Sequence, residues 1–298
     1  MLFQLDLATA TIGPFPAQGA MRIAYERDVH GGPVSAIAQV GDYLLLTEGV
    51  VFKMHRWTGT TFVPIGFLQG QLYVMSIKVC KNYFLYTDVL RGSHLVKWRE
   101  VDKQLLPLAK TVDSEVPVHA TELLIDPPHL GMASVDEDEN LSILQYSPAA
   151  IESRGGSVLL KRADMHLGSP VTALATHRLR AVGPRERDRF ATFFGDADGG
   201  VGAIVPVDER VFRRLYALQS IMANALEHAG SCNPRAHRTV VSRGLRLEPK
   251  KGVLDGLLLW RFVALSGVKQ AELTQAIGST VATVLNDLLE VDVGLAVI

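Results

Sequence analysis

The chain has 298 residues, of which 48% are hydrophobic and 20% are charged, a balance that supports a globular core and excludes extensive disorder. Its 30 basic and 31 acidic residues give a formal net charge of −1, which excludes a dedicated nucleic-acid coat, because such proteins carry a clear basic excess. Two cysteines, Cys80 and Cys232, are too few for a disulfide framework and indicate a reducing compartment.

No targeting or membrane segment is expected. The first ten residues contain Asp6 and lack a basic leader followed by a long apolar core, so they do not resemble a signal peptide. No window approaches the roughly 18 to 20 apolar residues that a membrane-spanning helix needs.

A repeated strand pattern occupies residues 34–205, where short apolar runs alternate with turns rich in Gly, Asp or Pro. Three clear runs and a weaker fourth recur in each of four units. The clear runs are residues 33–38, 43–46 and 50–57; 71–77, 83–88 and 94–99; 119–125, 131–135 and 141–146; and 171–176, 189–195 and 200–206. The units begin about 40 to 50 residues apart, which is the period of β-propeller blades. A large β-sandwich is the alternative.

Helical spacing replaces the strand pattern after Pro206. One long helix is predicted over residues 209–229, with Asp208 as N-cap and Gly230 as its end. Residues 232–252 are predicted to form a loop. Three short helices should follow, capped by Asp255, by Ser266 and by Ser279 or Thr280. This tail of about 45 residues is too small to be stable alone, so it should pack on the sheets.

Catalytic motifs are absent from the sequence. It contains no GxxxxGK[ST] phosphate loop, no GxSxG elbow and no HExxH. Gly199, Gly200 and Gly202 resemble the start of a dinucleotide loop, but Val205 replaces the third glycine and a strand follows, so a tight turn is predicted.

Two metal hypotheses fail on spacing. The acidic turns at residues 136–140 and 196–198 lack the glycine and the bidentate glutamate of a calcium loop and are predicted to be hairpin turns. His228, Cys232 and His237 have zinc-like spacing without a fourth ligand nearby, so they are predicted to be ordinary loop residues. We expect no metal and no cofactor.

The candidate site for a partner or RNA is a basic loop at residues 233–251, in which Glu248 is the sole acidic residue. Such a patch can hold phosphates or an acidic protein segment; the alternative is a solvated loop whose arginines cap neighbouring helices. Trp57 and Trp98 lack alternating basic partners and are predicted to be core or blade-seam residues. The candidate residues of the loop are Asn233, Arg235, Arg238, Arg243, Arg246, Lys250 and Lys251.

An ordered series of short stretches runs through most of the chain. The stretches are residues 30–40 (HGGPVSAIAQV), 97–100 (KWRE), 152–156 (ESRGG), 199–206 (GGVGAIVP), 211–219 (VFRRLYALQ), 233–238 (NPRAHR), 254–256 (LDG), 259–262 (LWRF), 271–273 (AEL), 277–280 (IGST) and 287–292 (DLLEVD). In this order, between residues 25 and 292, they resemble the large-subunit family of the cleavage and polyadenylation specificity factor. His237 departs from that family, which usually has a hydrophobic aromatic residue there, and residues 293–298 diverge.

The resemblance implies a nuclear scaffold subunit, without enzymatic activity, of the machinery that cleaves and polyadenylates pre-mRNA. The expected fold is mainly β: about four blades of a larger propeller in residues 1–206, then a linking helix, the basic loop and a small α-helical domain in residues 207–298. The implied partners are a zinc-finger subunit and a WD-repeat subunit that read the polyadenylation signal, and an endonuclease module. Contact with pre-mRNA is expected to be weak or indirect.

The sequence leaves two other functions open. One is direct RNA binding through the basic loop. The other is a propeller adaptor of the DNA-damage-binding or ubiquitin-ligase type, a related family that matches residues 233–235 poorly.

Overall fold

The computed structural model describes residues 2–5, 21–25, 31–112, 116–179, 189–242, 244–247 and 252–295. Near the start of the chain, β1 (Leu2–Leu5) and β2 (Met21–Tyr25) form an antiparallel pair. All later strands but two belong to four larger antiparallel sheets, which we call blades 1 to 4.

Blades 1 to 3 have four strands each, and blade 4 has three within the described residues. The strands are β3 (Ile37–Val40), β4 (Tyr43–Glu48), β5 (Val51–Trp57) and β6 (Phe62–Gln69) in blade 1; β7 (Val74–Cys80), β8 (Tyr83–Asp88), β9 (Gly92–Arg99) and β10 (Gln104–Lys110) in blade 2; β11 (Val118–Asp126), β12 (His129–Asp136), β13 (Asn140–Gln145) and β14 (Leu160–His166) in blade 3; and β15 (Val171–Leu179), β16 (Arg189–Asp196) and β17 (Val201–Ile204) in blade 4.

The blades are arranged as in a propeller. Within each sheet the strands follow one another in chain order, and the first strands β3, β7, β11 and β15 lie next to one another in that same order. Consecutive sheets therefore radiate from a row of inner strands. The predicted fold class, a mainly β partial propeller with a helical C-terminal part, is confirmed.

The core lies between consecutive blades, and blade 2 shows why. Successive side chains of a strand point to opposite faces, so Phe84 and Tyr86 of β8 pack toward Phe52 of blade 1, whereas Leu85 packs toward Met132 of blade 3. Burying one such side chain contributes about 1.5 to 3 kcal/mol. A third cluster, which includes Val135 and Val171, joins blades 3 and 4 in the same way.

Blade 2 also contains a histidine, His94, whose protonated form is disfavoured by burial. The His94 ring stacks on Tyr86 with centroids 4.8 Å apart. Burial lowers the pKa of His94, and burial raises the pKa of Tyr86 to about 12.

Stability should therefore fall as the pH drops below about 6.5, the usual histidine pKa. In that range the unfolded chain binds a proton at His94 more readily than the native protein does, so protonation favours unfolding. We expect His94→Gln to make urea denaturation less dependent on pH between pH 7.5 and pH 5.5 than in the wild type. The control is His119→Gln, at an exposed position of β11; equal pH dependence in the His94 variant and the wild type would contradict the prediction.

The C-terminal part is helical, with a small hairpin in the predicted loop. Its elements are α1 (Glu209–Ala225), α2 (Pro234–His237), β18 (Val240–Ser242), β19 (Leu245–Leu247), α3 (Gly256–Trp260), a 3₁₀ turn (Arg261–Ala264), α4 (Gly267–Ala276) and α5 (Val281–Leu295). Helix α1 ends before Gly230, at an extended Leu226. The prediction of a continuous loop over residues 232–252 was wrong, because β18 and β19 pair there.

Capping predictions in the tail are confirmed. Asp255 accepts hydrogen bonds from the first backbone N–H groups of α3, Ser266 from that of Lys269, and Thr280 from that of Thr283 at the start of α5. Leu218, Phe262 and Val284 are fully buried in one core that joins α1 to the helices of the tail. No helix within the described ranges is long and apolar enough to cross a membrane.

Candidate interaction surface

The hairpin of β18 and β19 is fastened to blade 3 by one asparagine. Asn140, 2% exposed, begins β13 and donates its side-chain amide to the carbonyl of Val241 at 2.6 Å, while its Oδ1 accepts from the Val241 N–H at 2.9 Å. A side-chain amide used in this way replaces a backbone ladder pair. The basic loop is thus held against the propeller.

Asn140 is itself positioned by the first of the two acidic turns. Asp136 Oδ1 accepts from the backbone N–H of Asn140 at 2.9 Å, and burial raises the pKa of Asp136. The second acidic turn is similar, since Asp196 Oδ1 accepts from the N–H groups of Asp198 and Gly200. Both are hairpin turns between paired strands, as predicted.

Arg238 joins the propeller to the tail. Its Nε donates to Asp255 Oδ2 at 2.8 Å, and its Nη1 donates to the carbonyls of His166 at 3.2 Å and Leu167 at 2.7 Å. The arginine and aspartate side chains are 17% and 8% exposed. Because its donors point inward, Arg238 stabilises the contact between blade 3 and α3. The apolar core of the tail packs on α1, and the tail meets the sheets through polar contacts: Asp255 pairs with Arg238, and Glu290 pairs with Arg189 of blade 4. Apolar packing of the tail on the sheets stays a prediction.

Asn233, Arg235 and Arg246 lie on the outer side of this segment. Asn233 caps α2 by accepting from the backbone N–H of Arg235 at 2.9 Å. Arg246 of β19 donates to the carbonyl of Ala236 at 2.7 Å, which places its guanidinium beside the residue that follows Arg235. Both arginines are exposed, and the structure shows no hydrogen bond or ion pair of the Arg235 side chain within the residues it describes. The other three predicted site residues, Arg243, Lys250 and Lys251, lie outside the described residues.

His237 packs against Gly168, in the connection between blades 3 and 4. A Cβ at Gly168, whose φ is +77°, would lie 2.5 Å from the His237 ring, and the ring meets that of His166 edge-on with centroids 5.8 Å apart. Burial and then the Arg238 charge lower the pKa of His237. A neutral ring beside Arg238 avoids repulsion between two cations.

The zinc-like trio does not converge. His228 Nε2 donates to the carbonyl of Ala223, and His228 Nδ1 accepts from Nη1 of Arg261. His237 instead faces Gly168. Across the described parts of the chain no group of three or more His, Cys, Asp or Glu side chains could hold a metal ion.

The two tryptophans differ in their surroundings. Trp98 is 3% exposed in the core between blades 1 and 2, as predicted, and packs edge-on against Tyr43. Trp57 is 36% exposed and packs on Phe62 at the end of β5, so Trp98 is a core residue and Trp57 is not, while a blade-seam position for Trp57 stays a prediction. A groove of about 870 Å³ between these blades is lined by residues that include Lys53, Phe67 and Lys103.

The fold and this surface define a partial β-propeller that is fastened through a basic loop to a helical C-terminal part. A family model described as the CPSF A subunit region matches residues 20–264, and the chain belongs to that family. It is 35% identical over 280 residues to cleavage and polyadenylation specificity factor subunit 1 of Arabidopsis thaliana, covering 93% of this chain and 19% of the relative. It is 34% identical over 267 residues to a rice protein (Oryza sativa subsp. japonica) with the same designation, marked probable, covering 88% of this chain and 18% of the relative. Protein cft1 of Schizosaccharomyces pombe is 29% identical over 277 residues, which is 89% of this chain and 19% of cft1.

Proposed function

We propose that this chain acts as a scaffold in nuclear pre-mRNA cleavage and polyadenylation, and that it has no enzymatic activity of its own. The observation that carries the proposal is the family match over residues 20–264 together with relatives named as cleavage and polyadenylation specificity factor subunits. The chain spans less than a fifth of the length of those relatives. The role is therefore that of one region: blades and tail that present surfaces to other subunits.

The partners we propose are a zinc-finger subunit, a WD-repeat subunit and the endonuclease module of the processing complex. Within this chain the basic loop is the proposed docking site, and Arg235 and Arg246 are its outward-facing charges. Arg238 contributes by holding the loop against α3. Asn233 caps α2, the helix that contains Arg235.

Affinity purification of the tagged chain from nuclear extract, after ribonuclease treatment, tests the proposal. We expect the zinc-finger and WD-repeat subunits to be recovered, because a scaffold contact does not depend on RNA. The double variant Arg235→Glu, Arg246→Glu should recover less of them, since it reverses two charges at the proposed docking site. Its matched control is Arg213→Glu, which reverses an exposed arginine at the start of α1.

Direct RNA binding makes the opposite prediction for the same variants. Reversing arginines that neutralise phosphates weakens RNA binding and reduces the salt slope, by about 0.7 for each single-strand phosphate that is no longer neutralised. If the double variant binds RNA more weakly in this manner while it still recovers the subunits, the basic loop is an RNA site and the docking proposal is wrong. If the wild-type chain recovers no processing subunit, the scaffold proposal itself is wrong.

A further inference from the structure

The helix α3 and the 3₁₀ turn after it are apolar on two opposite faces. The inner face buries Leu258, Leu259 and Phe262 in the helical core. The outer face exposes three large apolar side chains: Leu257 is 77% exposed, Trp260 47% and Val263 45%. We call these three residues the tail stripe.

A helix on the surface of a globular protein normally turns polar residues outward, and the tail stripe does the reverse. Its residues are spaced by three, so they lie on one side of the helix over roughly 9 to 12 Å. Exposed contiguous apolar surface of this kind marks an interaction site more often than scattered single residues do. Tryptophan is also among the residues most enriched at energetically important interface positions.

The arginine within the stripe's own segment, Arg261, is directed away from the stripe. Arg261 donates Nη2 to the carbonyl of Glu227 at 2.7 Å, and its Nη1 lies 2.9 Å from His228 Nδ1. Its guanidinium is thus fixed to the residues that follow α1. Apolar side chains of a partner can therefore pack on the stripe without desolvating a mobile charge.

The basic loop lies at the N-terminal end of the stripe. Asp255, two residues before Leu257, is held by Arg238. Arg246 binds the carbonyl of Ala236, close in the chain to Arg238. Asp255 already pairs with Arg238, so among the described residues of the loop Arg235 and Arg246 are the exposed arginines at this end.

We propose that the tail stripe and these two arginines form a docking site for a short amphipathic segment of a partner protein. The segment places apolar side chains at helical spacing on Leu257, Trp260 and Val263, and it carries Asp or Glu at the end that meets Arg235 and Arg246. The inference deepens the scaffold function proposed above and rests on it. A three-residue stripe buries little area, so the contact belongs to the weak, transient class.

A protein segment fits this surface better than RNA does. Single-stranded RNA is held by basic residues interleaved with aromatic ones along a groove. Here one indole stands between Leu257 and Val263, and the arginines lie at one end only. Phosphates would meet Arg235 and Arg246 but would find apolar side chains beyond them.

The test uses the 298-residue chain and a display library of random 15-residue peptides. We expect the selected peptides to share two or more apolar residues at helical spacing and an acidic end. A selected peptide, labelled for fluorescence anisotropy, should bind the double variant Leu257→Ser, Trp260→Ser at least tenfold more weakly. Arg235→Glu should weaken binding several-fold and make it less sensitive to salt. Leu257 and Arg235 are exposed, so their substitution should leave the urea midpoint unchanged; because Trp260 is 47% exposed, the urea midpoint of the double variant is measured in parallel and binding is compared where both proteins are folded.

Val268→Ser is the matched control, because Val268 is 83% exposed at the start of α4 and lies outside the stripe. The inference is wrong if the library yields no enriched peptides, or if the selected peptides bind the stripe variant as tightly as the wild type. The inference is also wrong if a mixed-sequence 20-nucleotide RNA displaces the peptide and itself requires Trp260 for binding.

The same stripe variant in the purification from nuclear extract separates the two proposals. If wild type and variant recover the processing subunits equally, the docking site is wrong and the scaffold stands; if wild type recovers none, the scaffold fails, and the peptide result alone decides the stripe.

Discussion

Replacing Arg238 with methionine is expected to destabilise the protein by about 3 kcal/mol. Methionine keeps most of the apolar stem but removes the charge, so the Asp255 carboxylate, 8% exposed, loses its ion-pair partner. The carbonyls of His166 and Leu167 lose their donor at the same time. A charge left buried without a partner costs far more than the pair itself contributes.

The measurement is urea denaturation followed by intrinsic fluorescence, with the midpoint and slope compared among variants. The double variant Arg238→Met, Asp255→Asn should recover a large part of the stability. Asparagine removes the unpaired charge and still accepts from the backbone N–H groups that Asp255 caps in α3. Arg235→Met, on the exposed side of the same loop, should change stability by less than about 0.5 kcal/mol. An Arg238 variant as stable as the Arg235 variant would show that the ion pair does not join the tail to the propeller.

Composition located the basic loop, but it could not separate Arg238 from Arg235. The two residues differ in what lies opposite them, and those groups come from other parts of the chain: the carbonyls at residues 166 and 167, and Asp255. No local pattern encodes such a contact. The role of Asn140 could not be predicted for the same reason, since its partner Val241 is 101 residues away; the visible signal was its place in an acidic turn.

The sequence pattern located the first three strands of each blade, whereas a weaker fourth strand was expected but not located, because the fourth strands lie at the edge of their sheets. Strands β8 and β9 are covered on both faces, so apolar residues recur along them. The last strands of blades 1 and 2 lie at the outer edge of their sheets and contain Pro64 and Pro107, residues that edge strands tolerate. Their apolar pattern is weaker, and the turn signals inside them resemble loops.

The exposed tail stripe could not be predicted from the sequence for a different reason. A helix was predictable from the cap at Asp255, but residues 257–260 read Leu-Leu-Leu-Trp, and apolar residues in succession do not indicate which face is buried. Packing against α1, α4 and α5 makes that choice. The exposed face is therefore a property of the folded molecule, and only its position beside the basic loop gives it a functional interpretation.

Replacing Lys78 with methionine is expected to destabilise the protein by about 2 to 3 kcal/mol, a value reduced from that of a fully buried pair because the lysine side chain is 30% exposed. Lys78 Nζ lies 2.7 Å from Glu122 Oε2 and 2.9 Å from the carbonyl of Leu174. These groups belong to β7, β11 and β15, so one ammonium connects the inner strands of blades 2, 3 and 4. Methionine would leave the Glu122 carboxylate, which is 10% exposed, without its counter-charge. The carboxylate would keep the hydrogen bond that it accepts from the backbone N–H of Leu123.

Urea denaturation again provides the measurement, and the double variant Lys78→Met, Glu122→Gln should recover part of the stability by removing the unpaired charge. The matched control is Lys269→Met, which breaks a pair with Glu272 within α4, where the two side chains are 33% and 65% exposed; it should cost less than about 0.5 kcal/mol. If the two lysine variants were equally stable, apolar packing between blades would suffice to hold the inner strands. A larger destabilisation by Lys78→Met would instead mean that the inner strands depend on this polar contact in addition to the apolar clusters between the blades.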